Sequence, residues 1–395
     1  MNYIIYGDQA RDHLLPFTFI RPLADIRVGI LTIREKWEEY LNCKTSSLTE
    51  QYLSEKYPLV KESDNILING NFFPNSTIIE EIGKLQPNQT LVHGEVIIAL
   101  RLKSDDIENF DLEVMEGVTP LETKSEALKI SHLWDIITLN ETAIRQDFDL
   151  LTKGRKSAEP GKYAKIISKE NVFIEEGAIL ENAIINASEG PVYIGKNVHI
   201  MDGAVLRGPV SINEGSTIRM NAKIYGNSSI GPYCKIGGEV SNSVVFGYTN
   251  KAHDGFLGHS VIGEWCNLGA DTNTSNLKNN YDKVRVWDYA IGSFVDTGLQ
   301  FCGTFMGDYS KCAINTMFNT GTVIGVNAQM FGTGFMRNFI PSYTWGGTSG
   351  YTIFDVEKAI EVAKRVYARR NKDFTSIDEN IFKKIFELTF GYRRY

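Results

Sequence analysis

The chain has 395 residues, room for two domains and an appendage, and its 43% hydrophobic and 23% charged content is ordinary for a water-soluble globular protein. A net charge of −7 gives no broad attraction to nucleic acid or an acidic membrane, and no stretch reaches the roughly 18 apolar residues of a membrane helix. The five cysteines are scattered without a CxxC pair, which argues against a disulfide framework or a zinc site. The first residues read as a strand rather than a signal peptide, so the expected location is the cytoplasm.

NYIIYG, Ile66–Asn69 (ILIN) and Thr90–Leu100 (TLVHGEVIIAL) read as strands. Ile30–Leu41 has apolar residues at helical spacing, at Ile30, Ile33, Trp37 and Leu41. Strands mixed with helices over residues 1–152 predict a small α/β domain. LLPFTFIRPLADIRVGILTIREKWEEYL resembles the opening of sugar-1-phosphate nucleotidyltransferases, and ILINGNFFPN resembles the strand that carries their metal-binding aspartate. The resemblance implies a nucleotidyltransferase-like domain that binds a nucleoside triphosphate with Mg²⁺. It departs at three points. GDQARDHLLPF, with Gly7 alone, replaces the glycine-rich phosphate loop. Asn71 stands at the magnesium-binding aspartate, and Arg21 at the phosphate-facing lysine. An amide holds Mg²⁺ less well than a carboxylate. Asp8 is the nearby alternative ligand, and Arg21 either grips a phosphate bidentately or makes a surface salt bridge.

Residues 153–163 form a polar, glycine- and proline-containing linker. A strict repeat then appears. Ile194, Ile200, Leu206, Ile212, Ile218, Ile224, Ile230 and Ile236 are spaced six apart, each preceded two residues earlier by a small or β-branched residue or by Cys234. Neither an α-helix nor a surface strand has this period. Short strands joined by tight corners do, three to a coil, each sending one aliphatic side chain into a common core. The prediction for residues 164–345 is a left-handed parallel β-helix of hexapeptide repeats, resuming at Met306, Cys312, Phe318, Ile324 and Met330. The period breaks between Gly237 and Gly263 and between Asn273 and Trp287, where loops are expected to leave one face.

Six histidines occur in the chain, and His253 and His259 lie in the first break. NKAHDGFLGHSVIGEWCNLGADTNTSNLKNNY resembles the acetyltransferase half of the bifunctional enzymes that make UDP-N-acetylglucosamine, for cell-envelope biosynthesis, from a divergent branch of that family. The resemblance places the catalytic histidine at His253, ten residues before Gly263. It places substrate and acetyl-CoA contacts at Asn267, Ala270, Asn276 and Ser293, and a trimer with the acyl site between neighbours. The sugar-binding lysine of the family falls at Ser241, with Lys223, Arg219 and Lys251 as nearby cations. Histidine suits a general base, since its ordinary pKa is about 6.5. His259, just before a coil start, reads as scaffold, and His199 as a solvated corner. A γ-carbonic-anhydrase-like zinc site would need His199, His253 and His259 to converge, which their spacing does not favour.

Residues 346–395 read as a helical tail, with a helix from about Asp355 to Arg370 and a second near Ser376 whose capping box uses Glu379. Arg365, Arg369, Arg370, Arg393, Arg394 and Arg337 either form a solvated basic face or meet coenzyme A phosphates. The combined expectation is a trimeric sugar-nucleotide enzyme that acetylates an amino-sugar 1-phosphate. The alternatives are a nucleotidyltransferase whose β-helix only assembles it, and a non-catalytic assembly protein.

Overall fold

The structure, a computed structural model, describes residues 1–104, 107 and 118–395. The chain forms two compact units: Met1–Leu14 with Ile20–Ile26 and Leu31–Ser131, and Leu15–Phe19 with Arg27–Ile30 and His132–Tyr395.

The first unit is built on a six-stranded mixed sheet. Its strands are β1 (Asn2–Tyr6), β2 (Ser46–Leu48), β3 (Asp64–Asn69), β4 (Gln89–His93), β5 (Val96–Lys103) and β6 (Thr119–Glu122), in the order β2-β1-β3-β5-β4-β6. β1 runs parallel to β2 and β3, while β5 is antiparallel to β3 and β4. Both faces of β1 and β3 are covered, so Ile4, Ile5, Ile66, Leu67 and Ile68 are all buried, as the unbroken apolar runs require. The stretch read as one strand over Thr90–Leu100 is instead two strands turning at Gly94, whose φ is +60°. The helix after it in the reading order begins later than its apolar spacing suggests. It spans Ile33–Leu41 because Thr32 and Glu35 close a reciprocal capping box ahead of it.

The second unit is the β-helix with its C-terminal helices. Three parallel sheets of nine, ten and six strands form its faces, with one antiparallel hairpin strand ending the ten-stranded sheet. In the nine-stranded face Ile174, Ile194, Ile212, Ile230, Val245, Ile262 and Met306 are register partners from coil to coil. Together with the matching columns of the other faces they form one buried cluster. The corners follow a rule. The residue three before an inward side chain takes a left-handed conformation, as at Asn197, Asn221, Asn227, Asn242, Asn315 and Asn327, with φ of 54–59° at five of these and 47° at Asn242. Asparagine tolerates that region better than most residues. Aromatic residues occupy it at Tyr233, Tyr248, Trp265 and Tyr309, and Tyr248 stacks on Trp265 with ring centroids 4.2 Å apart.

The first break in the period is not a loop. The coil continues there with shortened rungs. Glu239–Ser241, Val244–Val245 and Asn250–Lys251 pair in parallel with the strands before them. Ile236 therefore meets Lys251, not Asp254, which strict spacing would give. The second break does leave the solenoid. It carries the hairpin Arg285–Asp288 with Ser293–Asp296 and rejoins at Phe305–Met306. The tail helices span Val356–Ala368 and Ser376–Leu388. The capping box of the second uses Thr375 with Asp378, because Thr375 rather than Ser376 is the cap. Glu379 pairs with Lys364 instead, at 2.6 Å. Among the described residues no helix is long and apolar enough to cross a membrane.

Candidate functional site

His253 is exposed at the corner that follows Asn250–Lys251 in the ten-stranded face. It lines a cleft of about 690 Å³ with Arg219, Gly237, Gly238, Ala252, Asp254, Ala270 and Asp271. The corner is held from below by Lys251. This lysine sits in the inward column among aliphatic side chains and is 2% exposed. Its ammonium donates to the carbonyl oxygens of Gly237 at 3.0 Å and of His253 at 2.9 Å. Burial lowers the Lys251 pKa to about 8, against the raising influence of Asp254 and Asp271. Gly238 makes room for this amine. Its φ is +73°, and a Cβ there would lie 2.8 Å from the Lys251 Nζ and 2.7 Å from the Gly255 carbonyl oxygen.

The structure gathers part of the residue set and separates the rest. His253 and Ala270 share the cleft. Asn267 faces a different pocket, beside Lys235, Asn250 and Lys311. Asn276 bonds to His259, Nδ2 to Nδ1 at 2.9 Å, and Ser293 lies in the excursion hairpin opposite Asp288. His259 also stacks on Phe301, with centroids 5.2 Å apart, and burial lowers its pKa to about 4. Its φ of 44° places it at a corner that asparagine fills elsewhere. His199 is not a bare corner residue. It lies in a strand, with its Nε2 2.7 Å from Glu181. His199 and His259 thus have separate side-chain partners, and neither lines the His253 cleft.

Of the cations near the position of the family's lysine, Arg219 alone lines the His253 cleft. Lys223 pairs with Glu239 at 3.3 Å, and Lys251 is spent on two carbonyls. Ser241 carries no charge, and its carbonyl accepts from the His259 amide at 3.0 Å. Asp254 and Asp271, which the sequence reading did not single out, add two carboxylates to the cleft. Their signal in the sequence was only that each sits in a corner, in HDG and in GADT.

In the first unit Asp8, Asn69 and Asn71 meet at the C-terminal ends of β1 and β3, where ligands of open parallel sheets bind. The Asp8 carboxylate accepts from Asn69 Nδ2 at 2.8 Å and from Asn71 Nδ2 at 3.2 Å. Gly70 lets this loop lie on β1, since a Cβ there would come within 2.8 Å of Ile5 and 3.0 Å of the Tyr6 carbonyl. Asn71 is 1% exposed, and its Oδ1 is buried without a partner. The amide thus turns its nitrogen, not its oxygen, toward the carboxylate, and a divalent cation held by Asp8 and Asn71 together would require that amide to turn over. Arg21 is not a surface residue but 4% exposed.

Comparisons with known proteins match two separate stretches of the chain. Residues 3–156 match the family profile described as sugar nucleotidyl transferase. Residues 191–226 match the profile described as bacterial transferase hexapeptide (six repeats). A search of curated proteins returns no match. Among solved structures, the UDP-N-acetylglucosamine acyltransferase of Francisella novicida aligns at 11% identity with a TM-score of 0.28, covering 58% of this chain and 88% of that one. AntD, an N-acyltransferase from Bacillus cereus in complex with dTDP and 3-hydroxybutyryl-CoA, aligns at 11% identity with a TM-score of 0.23, covering 54% and 87%. The strand pairing and the two profiles agree: the chain joins a sugar nucleotidyl transferase-like domain to a hexapeptide-repeat left-handed β-helix with C-terminal helices.

Proposed function

We propose that the β-helix transfers an acyl group, acetyl in the simplest case, from a coenzyme A thioester to the amine of an amino-sugar 1-phosphate. The observation that carries this reading is the charge pattern around His253. One guanidinium, Arg219, and two carboxylates, Asp254 and Asp271, flank an exposed imidazole in one cleft. An amino-sugar phosphate carries the matching charges, a phosphate for the arginine and an ammonium for the carboxylates. The bound ammonium first loses one proton to solvent, and His253 then takes the second proton from the amine as it attacks the thioester carbonyl. The C–N bond forms, the C–S bond breaks, and the leaving thiolate takes the proton that His253 accepted. Lys251 fixes the His253 backbone and so holds the imidazole over the cleft.

The first unit binds the same sugar as its 1-phosphate and activates it with a nucleoside triphosphate. Asp8 and Asn71 would hold Mg²⁺, which supplies charge neutralisation at the phosphates. The reading includes a cytoplasmic homotrimer, since parallel faces pack around a three-fold axis. The test is a pair of assays on the full chain: acetyl-CoA with glucosamine 1-phosphate, and a nucleoside triphosphate with a sugar 1-phosphate. Acyl transfer that is absent with every amino-sugar phosphate would refute the β-helix assignment.

A further inference from the structure

Two short early stretches of the chain, Leu15–Phe19 and Arg27–Ile30, belong to the second unit, while Ile20–Ile26 between them belongs to the first. On one flank Phe17 and Phe19 are buried. Phe17 lies against Phe246 with ring centroids 5.3 Å apart, and Phe19 stands edge-on to Tyr289 at 5.5 Å. On the other flank Gly29 and Ile30 are clasped. The Gly29 N–H donates to Asn140 Oδ1 at 2.7 Å, the Ile30 N–H donates to Asp147 Oδ2 at 2.8 Å, and Asn213 Nδ2 donates to the Ile30 carbonyl at 3.0 Å. Asn140 and Asp147 come from the helix Asn140–Thr152 and are buried. The coil fixes Asn140 in turn, since its Oδ1 accepts from Ser229 Oγ at 3.0 Å and its Nδ2 donates to the Asn227 carbonyl at 2.8 Å. The clasp needs glycine at its centre. Gly29 has φ of +85°, and a Cβ there would lie 2.5 Å from Asp147 Oδ2.

The segment between the flanks is an arch beside the Asp8 site. Ala24 packs on Gly70, the residue before Asn71, where an added Cβ would come within 2.9 Å of the Ala24 Cβ. Leu23 lies on Gly7, the residue before Asp8, at 3.6 Å on the same measure. Asp25 accepts from Arg34 Nε at 2.7 Å and Nη2 at 3.0 Å, and Arg21, 4% exposed, is part of the same arch. A segment fixed at both ends has far fewer conformations than one that is free. We propose that Asn140, Asp147 and Asn213 are positioning residues for the first unit's site. By fixing Gly29 and Ile30 they keep the arch seated on Gly7 and Gly70, and so hold the loops that carry Asp8 and Asn71. The chemistry of the first unit thereby depends on side chains of the second. None of the three lines the His253 cleft, so cutting the clasp spares acyl transfer.

The test is hydrogen exchange of the full chain, read by mass spectrometry, for wild type, Asn213→Ala, Asp147→Ala and Asp147→Asn. Exchange over residues 20–26 should be faster by about fivefold in Asn213→Ala and Asp147→Ala, the equilibrium equivalent of one lost hydrogen bond. The β-helix coils over residues 192–236 should exchange as in wild type. Asp147→Asn keeps an oxygen for the Ile30 amide and should protect the arch as wild type does. A second arm rests on the nucleotidyl-transfer reading above: in Asn213→Ala the KM for the sugar 1-phosphate should rise with a smaller change in kcat, while acyl transfer keeps its wild-type rate. Wild type without nucleotidyl transfer would refute that reading alone, because the exchange arm needs no activity. Unchanged exchange over residues 20–26 in both alanine variants, or an increase spread equally over the β-helix coils, would overturn the proposal.

Discussion

At the scale of single residues the account turns on a buried lysine and the histidine above it. Lys251 occupies a slot that isoleucine or leucine fills on neighbouring coils. Lys251→Met keeps the volume and the apolar column while removing both carbonyl contacts, so the fold should survive. The freed corner should misplace His253, lowering kcat on the order of tenfold or more with a smaller change in KM. Thermal melting and steady-state kinetics on the same preparation check both halves. In the first unit, Asn71→Asp should raise Mg²⁺ affinity, since it puts a charged oxygen where the amide nitrogen now faces Asp8; an unchanged affinity would place the cation elsewhere. Much of this was beyond the sequence. The resemblance pointed to His253, but that Lys251 faces inward could not be seen, because the repeat slips just before it and shifts its register. Asn267 and Ala270, three residues apart, look like one contact set in sequence but line different pockets.

The coil is the element whose design was most legible. Side chains six apart must fall on successive faces, so the column from Ile194 to Ile236 was readable without any structure. What hid was the difference between a shortened coil and an inserted loop, since both interrupt the period in the same way. Only the pairing of Asn250–Lys251 with Lys235–Ile236 separates them. Corner chemistry explains His259. Its left-handed backbone and its bond to Asn276 are those of a corner residue. Burial depresses its pKa to about 4, against an ordinary value of about 6.5. Between those two values the unfolded chain binds a proton that the folded chain does not. Stability should therefore fall as pH drops from about 6.5 to 4, with no further loss from this group below 4. His259→Asn, which suits the same corner, should flatten that slope. Denaturant midpoints measured across the window for both proteins check it, and equal slopes would remove His259 as the cause.

For the molecule as a whole, the exposed Ile184 and Val205 are register partners on the six-stranded face. Covering such a ladder favours association. Light scattering of the full chain at micromolar concentration should give three times the 44.4 kDa chain mass; a monomer would contradict a shared acyl groove. On the proposed reading the second unit acylates the amino-sugar 1-phosphate and the first activates that sugar with a nucleoside triphosphate. The most direct measurement of the central claim is amino-sugar-dependent release of free thiol from acetyl-CoA, followed for wild type and His253→Ala. Wild type should release thiol with glucosamine 1-phosphate present, and His253→Ala should be slower by about 10²–10⁴-fold with its melting temperature unchanged. A variant that keeps the wild-type rate, or a wild type that transfers to no amino-sugar phosphate, would contradict the account.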